Sequence, residues 1–230
     1  MRGLRLPVTK NMRYDLDTER IIERLASEGK IKKCVDVGVL DGEILELFIK
    51  YVPGGKHYGV EPLPHKYRKL VEKFDDNVHV FNYALGNEDG TAVFNYVVSN
   101  PSYSGLRQRK YPGQESIRQI EVEVRKLDHL LLSEPVDLIK IDVEGAEFEV
   151  LKGARQILLQ HHPFLIFEFG LGAADYYQVD AGQMFSYLDE CGYDIFTLRD
   201  WLKKKEPLGK DLFKELFHTN KEYYYIAEHR

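Results

Sequence analysis

The stretch from Val136 to Ala154 constrains the fold of this chain more than any other. A largely apolar run, Val136-Asp137-Leu138-Ile139, passes into Lys140-Ile141-Asp142-Val143-Glu144-Gly145-Ala146-Glu147. That string leads into Phe148-Glu149-Val150-Leu151-Lys152-Gly153-Ala154, which has helical periodicity. The pattern is a buried strand handing over to a helix, with three acids and one base concentrated at the junction. Ligands of open α/β sheets bind at the carboxyl ends of strands, so this concentration suggests chemistry more than packing.

Side chains alternate along a strand, which puts Leu138, Lys140 and Asp142 on one face and Ile139, Ile141 and Val143 on the other. A central parallel strand is covered on both faces. Lys140 is therefore expected to be at least partly buried, and a buried ammonium needs a partner. A structural ion pair with Asp36 or Glu168 on a neighbouring strand would supply one. Glu144 and Glu147 also suit the first turn of a helix, where the dipole favours acids, so a purely structural role stands beside a functional one.

Similar units surround this one. Asp17–Ser27 has apolar Ile21, Ile22, Leu25 and Ala26 at helical spacing, stopped by Gly29 and preceded by an irregular lead, Met1–Tyr14. Strands are expected at Lys33–Val37, His57–Val60 and Val78–Tyr83. Glu43–Tyr51 and a helix carrying core-facing Tyr67, Leu70, Val71 and Phe74 separate them. The alternation then breaks. Asn87-Glu88-Asp89-Gly90 reads as a turn, Thr91–Val98 and Gln119–Val124 as strands, and the polar Ser99–Ser116, with Pro101, Gly105, Pro112 and Gly113, as a long loop. Loops of this length are usually functional or disordered, which makes it a candidate lid or recognition element. After Val136 the alternation resumes, with strands at Phe164–Phe169, Asp194–Leu198 and Glu222–Ala227 and a helix at Gln183–Cys191. No internal repeat or second core is visible. The 230 residues fit one α/β domain, 1–230, with an N-terminal lead and helix (1–31) and a β insertion (87–126).

Composition narrows the partners. A formal net charge of −5 argues against a nucleic-acid backbone as the main partner. Cys34 and Cys191 look like small buried hydrophobes, and no disulfide framework or zinc spacing exists. No apolar run is long enough for a transmembrane segment, so a cytoplasmic setting is expected. Lys203-Lys204-Lys205 reads as a solvated face.

Asp36-Val37-Gly38-Val39-Leu40-Asp41-Gly42 sits between the first strand and its helix. Glycines there let the backbone approach a ligand, and the helix N-terminus offers free N–H groups. Glu61 ends the next strand, the usual place for an acid that holds ribose hydroxyls. The spacing lacks the G-x-G-x-x-G dinucleotide fingerprint, and Asp36 and Asp41 would repel a pyrophosphate. They suit a ligand with a positive centre, such as the sulfonium and ammonium of S-adenosylmethionine.

The chain resembles the FkbM-type methyltransferases, a branch of the S-adenosylmethionine-dependent class I fold. The resemblance is carried by Val35-Asp36-Val37-Gly38 with Asp41-Gly42, Val60-Glu61-Pro62 with Tyr67-Arg68-Lys69-Leu70, and Ala84-Leu85-Gly86 with Asp89-Gly90. Leu127-Asp128 and above all Leu138–Ala154 complete it. It departs at Val39-Leu40, where the family commonly has Ala-Asn. It implies an α/β, three-layer Rossmann-like sheet of seven strands, six parallel and one antiparallel, with Glu222–Ala227 reversed. It also implies S-adenosylmethionine as cofactor and, as acceptor, a sugar hydroxyl of a glycan or glycosylated small molecule.

On this reading Asp36, Gly38, Asp41 and Gly42 cradle the methionine part, Glu61 with Pro62 holds the ribose, and Asn82, Tyr83, Ala84 and Leu85 lie where adenine should rest. Asp142 is the first choice to orient the acceptor hydroxyl and remove its proton, with Lys140 setting its charge state or steadying a developing alkoxide. Glu144 and Glu168 are second-rank acceptor contacts. His65 is an alternative base, since histidine titrates near neutrality, although a helix-start surface histidine would look the same. His161 and His162 look structural. Tyr103, Ser104, Arg107, Arg109, Lys110 and Tyr111 decorate the long loop, either as solvated residues or with tyrosines stacking on sugar rings and cations meeting an acidic group. Asp142 and Glu168 could offer oxygen ligands to a divalent metal, but no third ligand is evident and no metal is expected. Two rival readings are a nicotinamide-dependent reductase and a non-catalytic glycan-binding module. The acidic cradle and missing third glycine count against the first, and the intact acids against the second.

Overall fold

The structure, a computed structural model, describes residues 9–230. Thr9 caps the first helix, α1 (Lys10–Ser27), by accepting from Met12 N at 3.2 Å. The helix therefore starts well before Asp17. Tyr14 extends the buried stripe of Ile21, Ile22 and Leu25, and the polar residues around it hide that stripe in the sequence. The irregular lead expected through Tyr14 is thus helical from Lys10, and its first eight residues lie outside the described ones.

The chain continues through β1 (Lys33–Val37), α2 (Glu43–Tyr51), β2 (Lys56–Val60), α3 (Pro64–Lys73) and β3 (Val78–Phe81). Next come β4 (Ala84–Leu85), β5 (Gly90–Val97), β6 (Ile117–Arg125), α4 (Leu127–Leu131) and β7 (Leu138–Ile141). The last part holds α5 (Glu147–Gly153), α6 (Arg155–His161), β8 (Phe164–Glu168), α7 (Ala181–Glu190), β9 (Tyr193–Thr197), α8 (Leu198–Leu202), α9 (Lys210–His218) and β10 (Tyr224–His229). Among the described residues the strands form a seven-stranded sheet of order β3-β2-β1-β7-β8-β10-β9 and a three-stranded sheet, β4-β6-β5. In the larger sheet β10 alone runs antiparallel to its neighbours. This is the α/β, Rossmann-like class I methyltransferase arrangement with a small β insertion.

Two sequence expectations fail locally. Val71 is exposed rather than core-facing. Pro64 opens α3, and from that start the inward stripe is Tyr67, Leu70 and Phe74. The strand expected at Val78–Tyr83 stops at Phe81, because the Asn82 amide turns back to donate to the Glu61 and Pro62 carbonyls at 2.8 and 3.1 Å. Ala84 and Leu85 then join the small sheet.

The period of two sorts the main sheet into two faces. Cys34, Leu138, Ile166 and Ile226 pack with α1, α2 and α8. Val35, Ile139, Phe167 and Tyr225 pack with α4–α7 and α9. Asp36, Lys140, Glu168 and Tyr224 have the parity of the first set, so they lie on the α1 face. Register sets Asp36 beside Lys140 and Glu168 beside Tyr224. One strip of the sheet, near the carboxyl ends of β1, β7 and β8, is therefore polar where an apolar layer would otherwise continue.

Candidate active site

A cavity of about 320 Å³ opens above this strip. The β1–α2 turn (Asp36 to Asp41), Glu61-Pro62-Leu63, Tyr83-Ala84-Leu85, Lys140 and Asp142-Val143-Glu144 form its walls. Pro101, Ser102, Ser104 and Leu106 of the long loop, Asp15 and Thr18 of α1, and Tyr224 of β10 complete it. The volume falls within the range of small-molecule sites.

The cavity floor is made where β1 and β7 leave the sheet. Gly38 has φ +87°, and a Cβ there would run into the Asp142 carbonyl oxygen. Glycine is thus required by packing as well as by any ligand. Gly42, with φ +89°, is the N-cap of α2 and packs against Phe74. Asp36 is fully buried, and neither of its carboxyl oxygens has a hydrogen-bond partner among the described residues. Burial, only partly offset by the Lys140 charge, pushes its pKa up to about 7. Asp41 turns outward to Lys66 at 2.6 Å.

Glu61 is buried and clasps two turns. Its carboxylate accepts from Leu40 N at 2.9 Å and from Leu63 N at 2.8 Å. Burial raises its pKa to about 7 despite those bonds. Each oxygen keeps a second lone pair for a ligand hydroxyl. Tyr83, Ala84 and Leu85 face the cavity, whereas Asn82 supports it from behind by holding the Glu61-Pro62 backbone.

At the end of β7 the ion pair forms between Lys140 and Asp142, 3.1 Å apart on one strand. This departs from the cross-strand pair expected with Asp36 or Glu168. Residues two apart share a face, and Asp142 is free to fold back where the strand ends. Tyr224 donates its hydroxyl to Asp142 Oδ2. Burial alone would raise the Asp142 pKa, yet the Lys140 ammonium and the bonds from Tyr224 and Lys140 hold it below its usual value. Burial would likewise neutralise Lys140, but the Asp142 and Asp36 charges keep it an ammonium. Burial and the Asp142 charge push Glu168 and Tyr224 well up, and Tyr224 is the donor to Asp142.

The next two acids do different work. Glu147 is buried and accepts from Val143 N and Gly145 N at 3.0 and 3.1 Å, fastening the turn into α5. Glu144 has φ +60°, uncommon for a side-chain-bearing residue, and pairs with Arg109 of the long loop. Arg109 also donates to the Gly172 carbonyl at 3.1 Å, and Lys110 N donates to the Tyr176 hydroxyl at 3.0 Å. The loop is thereby latched over the β7 and β8 exits. Ser104 lines the cavity and accepts from Val97 N at 3.0 Å. Tyr103 stacks on Tyr111, centroids 5.8 Å apart, and Arg107 lies over the Tyr177 ring at 5.9 Å. Neither Tyr103 nor Arg107 is in the cavity wall. His65 sits outside it as well, 3.4 Å from the Tyr96 hydroxyl, its pKa lowered by burial and by Lys66, Lys69 and Arg68.

Tyr224 and Asp15 belong to the site and escaped the sequence reading. Strand alternation puts Tyr224 on the Ile226 face, where the structure has it. Its partner depends on an antiparallel neighbour, which alternation does not reveal. Seven carboxyl side chains and one ammonium, that of Lys140, border the cavity. Asp41, Glu144 and Asp142 have cationic partners, which leaves an excess of negative charge that suits a cationic ligand. Among the described residues no group of three or more His, Cys, Asp or Glu is placed to hold a metal ion, and no helix is long and apolar enough to cross a membrane.

A seven-stranded sheet with one reversed strand and an acidic cavity at its carboxyl edge defines the class I methyltransferase type. The profile of the "Methyltransferase FkbM domain" matches residues 36–195, and the chain belongs to that methyltransferase family. A curated relative, "2-O-methyltransferase NoeI" of Sinorhizobium fredii, is 27% identical over 145 residues, covering 54% of this chain and 58% of the relative. Among solved structures, the methyltransferase FkbM from Methylobacillus flagellatus matches with TM-score 0.54 at 18% identity, over 86% of this chain and 44% of that one. Cofactor-bound Rv0187 from MTB matches with TM-score 0.50 at 13% identity, over 97% and 82%. The chain thus spans little more than half of the curated relative and less than half of the first of these structures. The two structural likenesses bear on fold alone. Family membership speaks against the reductase reading.

Proposed function

We propose that this methyltransferase uses S-adenosylmethionine to O-methylate a sugar hydroxyl of a glycan or glycosylated small molecule. The observation that carries the cofactor assignment is Asp36, a fully buried carboxyl group with no partner in a cavity rich in acids. An unpaired buried carboxylate is costly, and a cationic ligand group would relieve that cost. Glu61, with lone pairs to spare, suits ribose hydroxyls, and Tyr83-Ala84-Leu85 offers an apolar wall for a base. Oxygen as the target is supported by the name of the curated relative, a 2-O-methyltransferase. The sugar is supported by the resemblance described above.

S-adenosylmethionine, when bound, supplies an electrophilic methyl group on a sulfonium. The protein's part is alignment and charge. Asp142, held by Lys140 and Tyr224, accepts a hydrogen bond from the acceptor hydroxyl and fixes its direction, which is where much of the rate gain of a two-substrate reaction arises. The Lys140 ammonium, held charged, steadies negative charge developing on the acceptor oxygen. The latched loop contributes Pro101, Ser102, Ser104 and Leu106 to the cavity wall. Titration calorimetry tests the cofactor assignment. S-adenosylhomocysteine should bind and reduced nicotinamide dinucleotide should not; the reverse result would reinstate the reductase.

A further inference from the structure

The carboxylates around the reacting end of the cavity differ in what they still have to give. Asp142 receives Lys140 Nζ at 3.1 Å and the Tyr224 hydroxyl. A carboxylate so fully supplied with donors binds a further proton weakly. Asp15 is its opposite. It projects from α1 into the wall of the same cavity, is exposed to solvent, and makes no side-chain hydrogen bond or ion pair among the described residues. Glu43 of α2 and Lys140 and Asp142 at the end of β7 line the same cavity, and their charges act on Asp15. Burial of part of the group, with the Glu43 charge, raises its proton affinity above that of an ordinary aspartate. Neither Asp15 nor Tyr224 lies within residues 36–195, so the family match assigns neither.

We propose that Asp15 is the catalytic base, taking the proton of the acceptor hydroxyl, while Asp142 is the fixed anion that orients it. The inference rests on the methyl-transfer reading. In the step, the acceptor oxygen bonds to the methyl carbon as the carbon–sulfur bond breaks, and that bond's electron pair stays on sulfur. The hydroxyl proton moves to an Asp15 carboxylate oxygen and from there to water, which reaches Asp15 directly. The products are a methyl ether and S-adenosylhomocysteine, and charge balances with the released proton. A hydroxyl becomes acidic only as its bond to carbon forms, so a carboxylate with free lone pairs is a competent late base.

The test compares Asp15→Asn with the unaltered protein in transfer of labelled methyl to a panel of neutral methyl hexosides and methyl 6-deoxyhexosides. S-adenosylhomocysteine calorimetry runs in parallel. Turnover should fall by about 10²-fold or more, the scale of general-base loss, while S-adenosylhomocysteine affinity changes less than about threefold, within the spread of a group that touches no cofactor atom. The melting temperature should not move, because Asp15 is exposed and unpartnered. Turnover equal to that of the unaltered protein would overturn the inference and leave the methyl-transfer reading standing. A loss of cofactor affinity as large as the loss of turnover would also overturn it, making Asp15 a cofactor contact. An unaltered protein that methylates none of the panel would overturn the sugar reading, and the inference with it.

Discussion

Asp36 turns the cofactor assignment into a pH experiment. Burial pushes its carboxyl group's pKa up to about 7. A cationic ligand group beside it would lower that value, so binding must release a proton wherever the unliganded group still holds one. S-adenosylhomocysteine affinity should therefore rise between pH 6 and pH 8 and level off above. The heat of binding near pH 7 should vary with the ionisation enthalpy of the buffer. Flat affinity across that range with buffer-independent heat would separate Asp36 from the ligand. Glu61 makes a second residue-scale prediction. Glu61→Ala should weaken S-adenosylhomocysteine by about 1–3 kcal/mol, the range for a hydrogen bond to a charged group. It should also lower the melting temperature, because Leu40 N and Leu63 N lose their acceptor. Glu61→Gln, which keeps an acceptor oxygen for one of them, should soften the second effect. Unchanged ligand affinity in Glu61→Ala would take Glu61 out of the site. Legibility at this scale was uneven. Asp36, Glu61, Lys140 and Asp142 could be found because each ends a strand in a recognisable strand-to-helix unit. Tyr224 and Asp15 could not, because what brings them to the cavity is tertiary: an antiparallel neighbour for one and a helix crossing the sheet for the other.

The elements that complete the site are also those that sequence periodicity handles least well. The long loop was visible as a break in the alternation, and its tyrosines and arginines pointed to recognition. Its attachment was not visible. Arg109 pairs with Glu144 and with the Gly172 carbonyl, and Tyr103 and Tyr111 stack on each other, so the arginine has no charge to spare for an acidic sugar. We expect Arg109→Ala to loosen this loop alone, with faster amide exchange over 99–116 and reduced methyl transfer. S-adenosylhomocysteine affinity should stay nearly intact, because none of the walls expected to meet the cofactor is fastened by Arg109. An equal loss of both would make the loop part of the cofactor site. In the same way α1 starts earlier than its apolar spacing suggests, since charged residues between Lys10 and Asp17 mask a stripe that only Tyr14 and the Thr9 cap reveal. That missed segment holds Asp15.

Taken whole, the molecule closes its sheet with a strand from outside the family segment. β10 lies between β8 and β9, and α1 covers the opposite end of the chain's core with Ile21, Ile22 and Leu25 fully buried. A fragment limited to residues 36–195 would leave β9 with no neighbour and strip the α1 face. It should show no cooperative thermal transition, and a sharp melt near that of the full chain would contradict this. The buried acids set the pH response. Asp36, Glu61 and Glu147 have pKa values of about 7 in the folded protein, against roughly 4 when unfolded. Between those values the folded state holds more protons, so stability falls as pH rises from about 4 to about 7 and then flattens. Asp142 and Glu134, whose values are depressed, act below that window. The ligand-free protein should melt progressively lower from pH 5 to pH 7, and a rise over that range would refute the assignment. The central claim is narrower: the cavity transfers a methyl group to a sugar oxygen aligned by Asp142. It is tested most directly by incubating the protein with methyl-labelled S-adenosylmethionine and a panel of glycosides and locating the label by NMR, alongside Asp142→Asn. The account predicts a methyl ether on one hydroxyl, with transfer by Asp142→Asn reduced by at least about 10²-fold and S-adenosylhomocysteine still bound. Label on nitrogen or carbon, no transfer at all, or full activity in Asp142→Asn would contradict it.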